Sequence, residues 1–375
     1  MADASTTSYP EVDTGPVYHY TTQNASGTQQ VCVTLTHASD QREKHILCAS
    51  PWAIPVIFLP GVMGTNLKEK DKSHGVWRAP NSKLAGMPML LEFFFKGAAA
   101  RQILFNPENS DVDWDGPVDA GPLVLGKDRK QTEDILRQRG WGSLFSSSYH
   151  PLLQTLHQRL NEEVLVEGTL EIGAWWKDTM MQDPKRWGSL NPGDTALSAD
   201  EVKHLVRYRF DIWACGYNWL KSNAVSAQQV DAYIRKVLAL YAGGGTPTCK
   251  KVIVVTHSMG GLVLRGLLQI PGAADNILGV VHGVQPAAGA PSVYKRARAG
   301  FEGMEQVVLG RNAAEAVPVI ANAQSLLEML PFKHYNRGQA WLKVRGCGFA
   351  LPRAGDPYLE IYTSNSWYGD RKSVV

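Results

Sequence analysis

One serine, Ser258, stands where a β-branched run, Val252 to Thr256, turns into an apolar helical segment. A nucleophile elbow has this order of strand, tight turn and helix, with small residues around the serine because the two backbones approach closely. Thr256 replaces the first glycine of the Gly-x-Ser-x-Gly consensus, and Gly260 keeps the second. The pattern predicts a catalytic nucleophile at Ser258. The alternative is a plain strand-turn-helix whose serine only caps the helix.

A serine nucleophile requires main-chain amides that stabilise the oxyanion formed during attack. One amide is expected from Met259, directly after the serine, where the helix dipole adds positive charge. The second is expected from a loop after an earlier strand, and Pro60 to Gly64 has the glycines that such a loop needs. We therefore predict an oxyanion hole at Met63 and Met259, with Val62 as the next choice.

The nucleophile also needs a base and an acid, which follow the serine in α/β-hydrolases. The histidines after Ser258 are His282 and His334. His282 follows a predicted strand and is expected to be a structural hydrogen-bonding residue, so His334 is the candidate base. His257 is expected to buttress the turn, because adjacent side chains diverge at a strained elbow. The acid is left open, and a source beyond Val375 for both groups is the remaining possibility.

Strands and helices are predicted to alternate around this serine. The run from Ile54 to Leu59 is apolar and ends in a turn, as a buried strand does. A capping box from Ser226 to Gln229 predicts the start of another helix. Further helices are predicted over 131–139, 151–162 and 261–270, and further strands over 252–256 and 277–281. This succession predicts a mostly parallel sheet with helices on both faces.

The length of 375 residues exceeds that of a typical domain with a single hydrophobic core, and it favours a core domain with an insertion. We predict an N-terminal extension over 1–50, an α/β core over 51–67 and 201–375, and a cap or lid insertion over 68–200. The long distance from Gly61 to Ser258 supports an insertion of that size.

The predicted insertion contains the densest apolar segment of the chain. Leu90, Leu91 and Phe93 to Phe95 precede Ala98 to Ala100. Such a segment is typical of a lid that covers acyl chains when open and shields the serine when closed. The competing interpretation is that these residues form the core of the cap.

The composition limits the classes of partner and cofactor that we expect. A formal net charge of +3, with no basic run among aromatic residues, gives no reason to expect a nucleic-acid partner. The five cysteines have no metal-ligand spacing, so neither a metal nor another cofactor is expected. The N-terminus lacks the pattern of a signal peptide, and no stretch reaches the roughly 18 to 20 apolar residues of a membrane-spanning helix.

Five segments in a fixed order resemble the α/β-hydrolase lipases of the lecithin-cholesterol acyltransferase-like and PGAP1-like group. The similarity is greatest to bacterial phospholipase effectors delivered by type VI secretion. The segments are Phe58–Leu67, Trp213–Trp219, Thr256–Gly261, Gln285–Pro291 and Leu326–Pro331. One of these segments alone is weak evidence for the family. The occurrence of all five in the order found in the family is fairly specific evidence.

The resemblance implies an α/β-hydrolase fold with a large cap and an incomplete C-terminal part. It implies that Ser258 is the nucleophile, that Met63 and Met259 form the oxyanion hole, and that the substrate is a glycerophospholipid or another lipid ester at a membrane surface. It also implies synthesis in the bacterial cytoplasm, export by a dedicated secretion apparatus, and a cognate immunity protein as partner.

The chain departs from the family in one respect. The later Gly-Asp-Gly stretch of the family, which carries the acid, and its terminal histidine have no counterpart here. The leading interpretation is a serine-dependent, phospholipase A-like hydrolase with an antibacterial or anti-host role. The alternative is a catalytically incomplete hydrolase-fold binding module or a truncated product.

Overall fold

The computed structural model describes fifteen stretches of the chain: residues 17–20, 22–23, 29–31, 37, 39–47, 52–72, 75–78, 96–123, 129–166, 169–205, 207–242, 249–303, 305–343, 346 and 348–364. The predicted lid residues 90–95 lie outside these stretches. So do residues 32–36 of the segment from Gln30 to Thr36, whose alternation of apolar and polar residues predicts an edge strand. Within the described residues, no helix combines the length and the apolar content that crossing a bilayer requires.

The described strands are numbered in chain order. They are β1 Val17–Tyr20, β2 Thr22–Gln23, β3 Gln29–Gln30, β4 Lys44–Leu47, β5 Trp52–Leu59, β6 Leu67–Glu69, β7 Gly75–Trp77, β8 Ser110–Val112, β9 Glu163–Val166, β10 Thr169–Ile172, β11 Tyr208–Ala214, β12 Val252–His257, β13 Ile277–Gly283, β14 Leu342–Lys343 and β15 Ala350–Leu351.

The described helices are numbered in the same way. They are α1 Ala98–Leu104, α2 Arg129–Gln138, α3 Ser146–Leu160, α4 Ala174–Met180, α5 Ala199–Leu205, α6 Asn223–Ala242, α7 Gly260–Leu267, α8 Pro291–Ala299, α9 Glu305–Leu309, α10 Ala313–Asn322 and α11 Gln324–Glu328. Short 3₁₀ turns cover Trp141–Ser143, Pro184–Trp187, Ala274–Asn276 and Tyr335–Gly338, and a π-helical turn covers Tyr358–Tyr362.

Four strands form the central sheet in the order β11, β5, β12, β13, and every neighbouring pair is parallel. Val255 of β12 is in register with Phe58 of β5 on one side and with Val281 of β13 on the other. Parallel strands need crossover connections. Helix α6 connects β11 to β12 across the intervening β5, and α7 connects the neighbours β12 and β13. All four carboxyl ends therefore meet at one edge of the sheet.

The two faces of the sheet are covered by different helices. Ile57 and Leu59 of β5 belong to a buried cluster that includes residues of α6 and α7, whereas Val56 and Phe58 belong to a second cluster with residues of α2 and α3. Successive strand residues point to opposite faces, which explains this division. The prediction of a mostly parallel sheet with helices on both faces is confirmed.

Part of the predicted insertion belongs to the covering of the sheet. Leu136, Trp141 and Leu153 are almost completely buried and pack in the same cluster as Phe58 of β5. Described residues of α2, α3 and the turn between them, all within 68–200, thus pack on one face of the central strands. The boundaries of the insertion remain predictions.

Two predicted helix starts were wrong. The helix predicted over 151–162 begins at Ser146 and continues past Pro151. The helix predicted to begin at Ser226 starts at Asn223, and the Ser222 hydroxyl accepts a hydrogen bond of 3.2 Å from the Val225 amide. Ser226 lies within the helix and donates to the Asn218 carbonyl instead, so a tertiary contact replaces the predicted cap.

Candidate active site

Three consecutive strands of the sheet end in strained turns. Met63, Ser258 and Val284 have φ angles of 62°, 51° and 47°, and they follow β5, β12 and β13. Residues other than glycine rarely adopt this conformation, and such strain concentrates where a protein positions functional groups. The turns lie at the carboxyl edge of the sheet, where parallel α/β proteins bind ligands. This edge is the candidate active site.

The turn at Ser258 has the geometry of an elbow. The Ser258 amide donates to the Gly283 carbonyl at 2.8 Å, and the Gly261 amide donates to the Ser258 carbonyl at 3.0 Å. A Cβ atom at Gly260 would lie only 2.6 Å from the Pro60 carbonyl oxygen, so the close approach of strand and helix requires glycine there. Helix α7 has Met259 at its N-cap and no side-chain capping bond. The interpretation of the serine as a helix cap therefore has no support.

The Pro60 to Gly64 loop lies directly against this turn. A Cβ atom placed on Gly61 would be 3.1 Å from the Ser258 Cβ and 2.9 Å from the His257 Nδ1. The predicted oxyanion-hole residues are therefore brought to one edge. The Met63 and Met259 amides donate no hydrogen bond to any residue that the structure describes. The assignment of the two amides, of which Met259 belongs to a completely buried residue, to an oxyanion hole remains a prediction.

Side chains from distant parts of the sequence hold the loop in place. The Tyr217 hydroxyl donates to the Pro60 carbonyl at 2.7 Å, and the Trp77 Nε1 donates to the Met63 carbonyl at 2.7 Å. The Gly64 amide closes the turn by donating to the Gly61 carbonyl at 3.1 Å. These bonds engage carbonyl groups of the loop and leave the Met63 amide unoccupied. The roles of Tyr217 and Trp77 are not evident from the sequence.

Tyr149 of α3 also reaches the loop, and its role was missed as well. Its hydroxyl accepts a hydrogen bond of 3.1 Å from the Gly61 amide and lies 3.0 Å from the His257 Nδ1. Burial raises the pKa of Tyr149 and lowers the pKa of His257, so both groups are neutral near pH 7. His257 therefore packs at the turn beside the loop, as expected of a buttress.

The described histidines do not complete a catalytic pair with the serine. The Ser258 hydroxyl makes no hydrogen bond to any residue in the described stretches. The His282 Nδ1 lies 2.7 Å from the Thr256 Oγ1, which agrees with the structural role expected for it. The His334 ring packs edge-on against Phe332 at the start of a 3₁₀ turn. The assignment of His334 as base remains a prediction.

The strongest cluster of buried charge lies on β11. The Arg139 and Arg209 guanidinium groups are 3.0 Å and 3.3 Å from the Asp211 carboxylate, and the Tyr241 hydroxyl donates to it at 2.7 Å. Burial is the largest single influence and raises the pKa of Asp211, but the charges of Arg139 and Arg209 and the Tyr241 hydrogen bond act against it, and the pKa lies below its ordinary value. These partners saturate the carboxylate. Among the described residues, no group of three or more histidine, cysteine, aspartate or glutamate side chains could hold a metal ion.

Comparison with protein families identifies the domain that carries the elbow. Residues 211–315 match the family model described as PGAP1-like alpha/beta domain. This match covers less than half of the chain. The match includes the Ser258 turn and β13, whereas the Pro60 to Gly64 loop precedes it. A comparison with curated proteins gives no match.

A solved structure extends the similarity over most of the chain. A chain of the Tle4–Tli4 complex superposes with a TM-score of 0.72 and is 39% identical in sequence. The alignment covers 84% of this protein and 64% of that chain, so this protein spans less than two thirds of its solved relative. The PGAP1-like domain and this similarity confirm the α/β-hydrolase fold and the resemblance drawn from the five motifs.

Proposed function

We propose that this protein is a serine-dependent hydrolase of lipid carboxylic esters with phospholipase A-like activity. The observation that carries the proposal is the left-handed conformation of Ser258, with φ of 51°, between β12 and α7 and against the Gly61 turn. A strained turn of this kind presents a serine hydroxyl at the edge of the sheet, near main-chain amides. The PGAP1-like domain and the 39% identity to the Tle4–Tli4 chain support a lipase or esterase class.

In the proposed reaction the Ser258 Oγ attacks the ester carbonyl carbon and passes its proton to a base. The negative charge that develops on the carbonyl oxygen is stabilised by the Met63 and Met259 amides, which have no other described partner. Collapse of the tetrahedral intermediate releases the alcohol, a lysolipid, which takes up the proton. Water then attacks the carbonyl carbon of the acyl-enzyme and gives a proton to the base. Collapse of this second intermediate breaks the bond to the Ser258 Oγ, which takes the proton back, and releases the fatty acid. His334 remains the candidate base.

We also propose that the protein is an antibacterial or anti-host effector, exported by a dedicated secretion system such as the type VI apparatus. The solved relative belongs to a complex of two named components, Tle4 and Tli4. That similarity supports a protein partner, which we propose to be a cognate immunity protein. The substrate in this proposal is a glycerophospholipid presented at a membrane surface.

The nucleophile is tested by labelling the purified chain with a fluorophosphonate probe, followed by peptide mapping. We expect the label on Ser258, no label on Ser258→Ala, and normal labelling of Ser148→Ala, which removes an exposed hydroxyl from α3. The release of fatty acid from phosphatidylglycerol and phosphatidylethanolamine vesicles should show the same dependence on Ser258. Fatty acid release that persists in Ser258→Ala would rule out this nucleophile.

A second candidate is a hydrolase-fold binding module without activity. The observation that favours it is that no described histidine is hydrogen-bonded to the Ser258 hydroxyl. This candidate predicts no probe labelling of the wild-type chain, together with binding to vesicles or to the immunity protein. The labelling experiment therefore separates the two functions.

A further inference from the structure

Tyr149 joins three parts of the candidate site that are distant in sequence. It extends from α3, is 9% exposed, and places its hydroxyl between the Gly61 amide, 3.1 Å away, and the His257 Nδ1, 3.0 Å away. Gly61 precedes the predicted oxyanion donor by two positions, and His257 directly precedes Ser258. One hydroxyl group therefore connects the loop with the elbow.

The two contacts of the Tyr149 hydroxyl are satisfied by the following assignment of protons. The Tyr149 hydroxyl uses a lone pair to accept from the Gly61 amide, so its single proton is free for the His257 Nδ1. Nδ1 can accept that proton only when the imidazole is neutral and carries its own proton on Nε2. The lowered pKa of His257, caused by burial, agrees with a neutral ring.

The ring of Tyr149 is held as tightly as its hydroxyl. A Cβ atom on Gly64 would lie 2.7 Å from the Tyr149 Cε2, and the Phe58 ring packs with a centroid distance of 5.1 Å. The His257 ring contacts it edge-on at 5.7 Å. Phenylalanine would fill the same space, so the ring accounts for packing and the hydroxyl accounts for the two hydrogen bonds.

The hydroxyl differs from the other groups that hold the loop. Tyr217 and Trp77 donate to loop carbonyls, whereas Tyr149 engages a loop amide and also reaches the elbow. We infer that Tyr149 is a positioning residue that fixes the Gly61 amide and the His257 ring together, which orients the Met63 amide toward the developing oxyanion. This inference rests on the proposed function of Ser258.

The test compares Tyr149→Phe with Tyr233→Phe. Tyr233 is a matched control because its buried hydroxyl donates only a long 3.4 Å hydrogen bond, to the Arg139 carbonyl, away from the loop. Tyr149→Phe should lower the rate constant for fluorophosphonate labelling of Ser258 by about tenfold to a hundredfold, since a misplaced oxyanion donor weakens only the transition state. For a soluble short-chain ester, kcat should fall by a similar factor while KM stays unchanged. Tyr233→Phe should label at the wild-type rate.

Nitrogen-15 NMR of labelled histidine gives a readout that does not depend on activity. The His257 Nδ1 resonance should report a hydrogen-bond acceptor in the wild type and lose that signature in Tyr149→Phe, and the Gly61 amide should exchange faster with solvent. A wild-type labelling rate in Tyr149→Phe would overturn the inference while leaving the nucleophile intact. A wild-type chain that the probe does not label would overturn the proposed function, and this inference with it.

Discussion

The two strands that flank β12 are built differently, although both follow the same parallel pattern. On one side β5 is buried on both faces, and the loop after it is held by Tyr149, Tyr217 and Trp77. On the other side β13 is the edge of the four-stranded sheet, and the side chains of Leu278 and Val281 are 56% and 57% exposed.

The contrast shows which parts of the candidate site the described residues provide on each side of β12. The β5 side supplies a fixed loop whose Met63 amide is unoccupied, and this is the requirement for preorganised stabilisation of charge. The β13 side supplies the Gly283 carbonyl that anchors the elbow and the strained Val284 beyond it, which is 78% exposed. The loop on the β5 side is therefore held by several side chains, whereas no described group is hydrogen-bonded to the Ser258 hydroxyl.

The largest effect on stability and labelling is expected from a substitution at Gly260, where the elbow contacts the loop after β5. Gly260→Ala places a Cβ atom 2.6 Å from the Pro60 carbonyl and 2.8 Å from the Leu59 carbonyl, and neither backbone group can move without shifting the loop. We expect a loss of about 3 kcal/mol in the free energy of unfolding and no probe labelling of Ser258. Urea denaturation and labelling measure both quantities.

Gly266→Ala is the matched control in the same helix. The added Cβ atom there would lie 3.3 Å from the Ala227 Cβ and meets no backbone group at a shorter distance. Alanine also has the higher helix propensity, so the stability should stay within about 1 kcal/mol of the wild type. Equal losses of unfolding free energy in the two variants would show that the close contact between the elbow and the loop does not determine the cost at Gly260.

A matched pair of substitutions tests the difference in burial between the two adjacent strands. Val254→Thr on β12 buries a hydroxyl at a position with 0% exposure and should cost about 2 kcal/mol in the free energy of unfolding. Val281→Thr on β13, at 57% exposure, should change it by no more than about 0.5 kcal/mol. Denaturant titration checks both values. A cost at Val281 as large as that at Val254 would mean that this part of β13 is covered in solution.

Apart from the control substitutions, the smallest expected effect is a gain in stability at Val284. Its φ of 47° is unfavourable for a β-branched residue, and its exposed side chain gives little packing in return. Val284→Gly removes the strain and should raise the free energy of unfolding by about 1 kcal/mol. Val281→Gly, in an extended strand, should lower it by a similar amount. A loss of stability in Val284→Gly would indicate that the Val284 side chain makes contacts in solution.

Much of the fold could be predicted from local patterns. The apolar runs over 54–59, 252–256 and 277–281 became strands of one parallel sheet because continuous β-branched and aliphatic residues suit burial on both faces. The start of α6 was predicted incorrectly because a capping motif at Ser226 competes with the tertiary hydrogen bond to Asn218. The burial of β5 and the exposure of β13 could not be distinguished, since both sequences are apolar.

The sequence by itself determined the turn around Ser258, because a strand, a small-residue bend and a helix are specified by a few neighbouring positions. The sequence also placed Gly61 and Gly64 within the loop after β5. Only the tertiary structure decided which groups meet at that turn. The Tyr149 hydroxyl comes from 88 residues beyond Gly61 and 108 residues before His257, and hydrogen bonds over such distances depend on how the strands are ordered and covered.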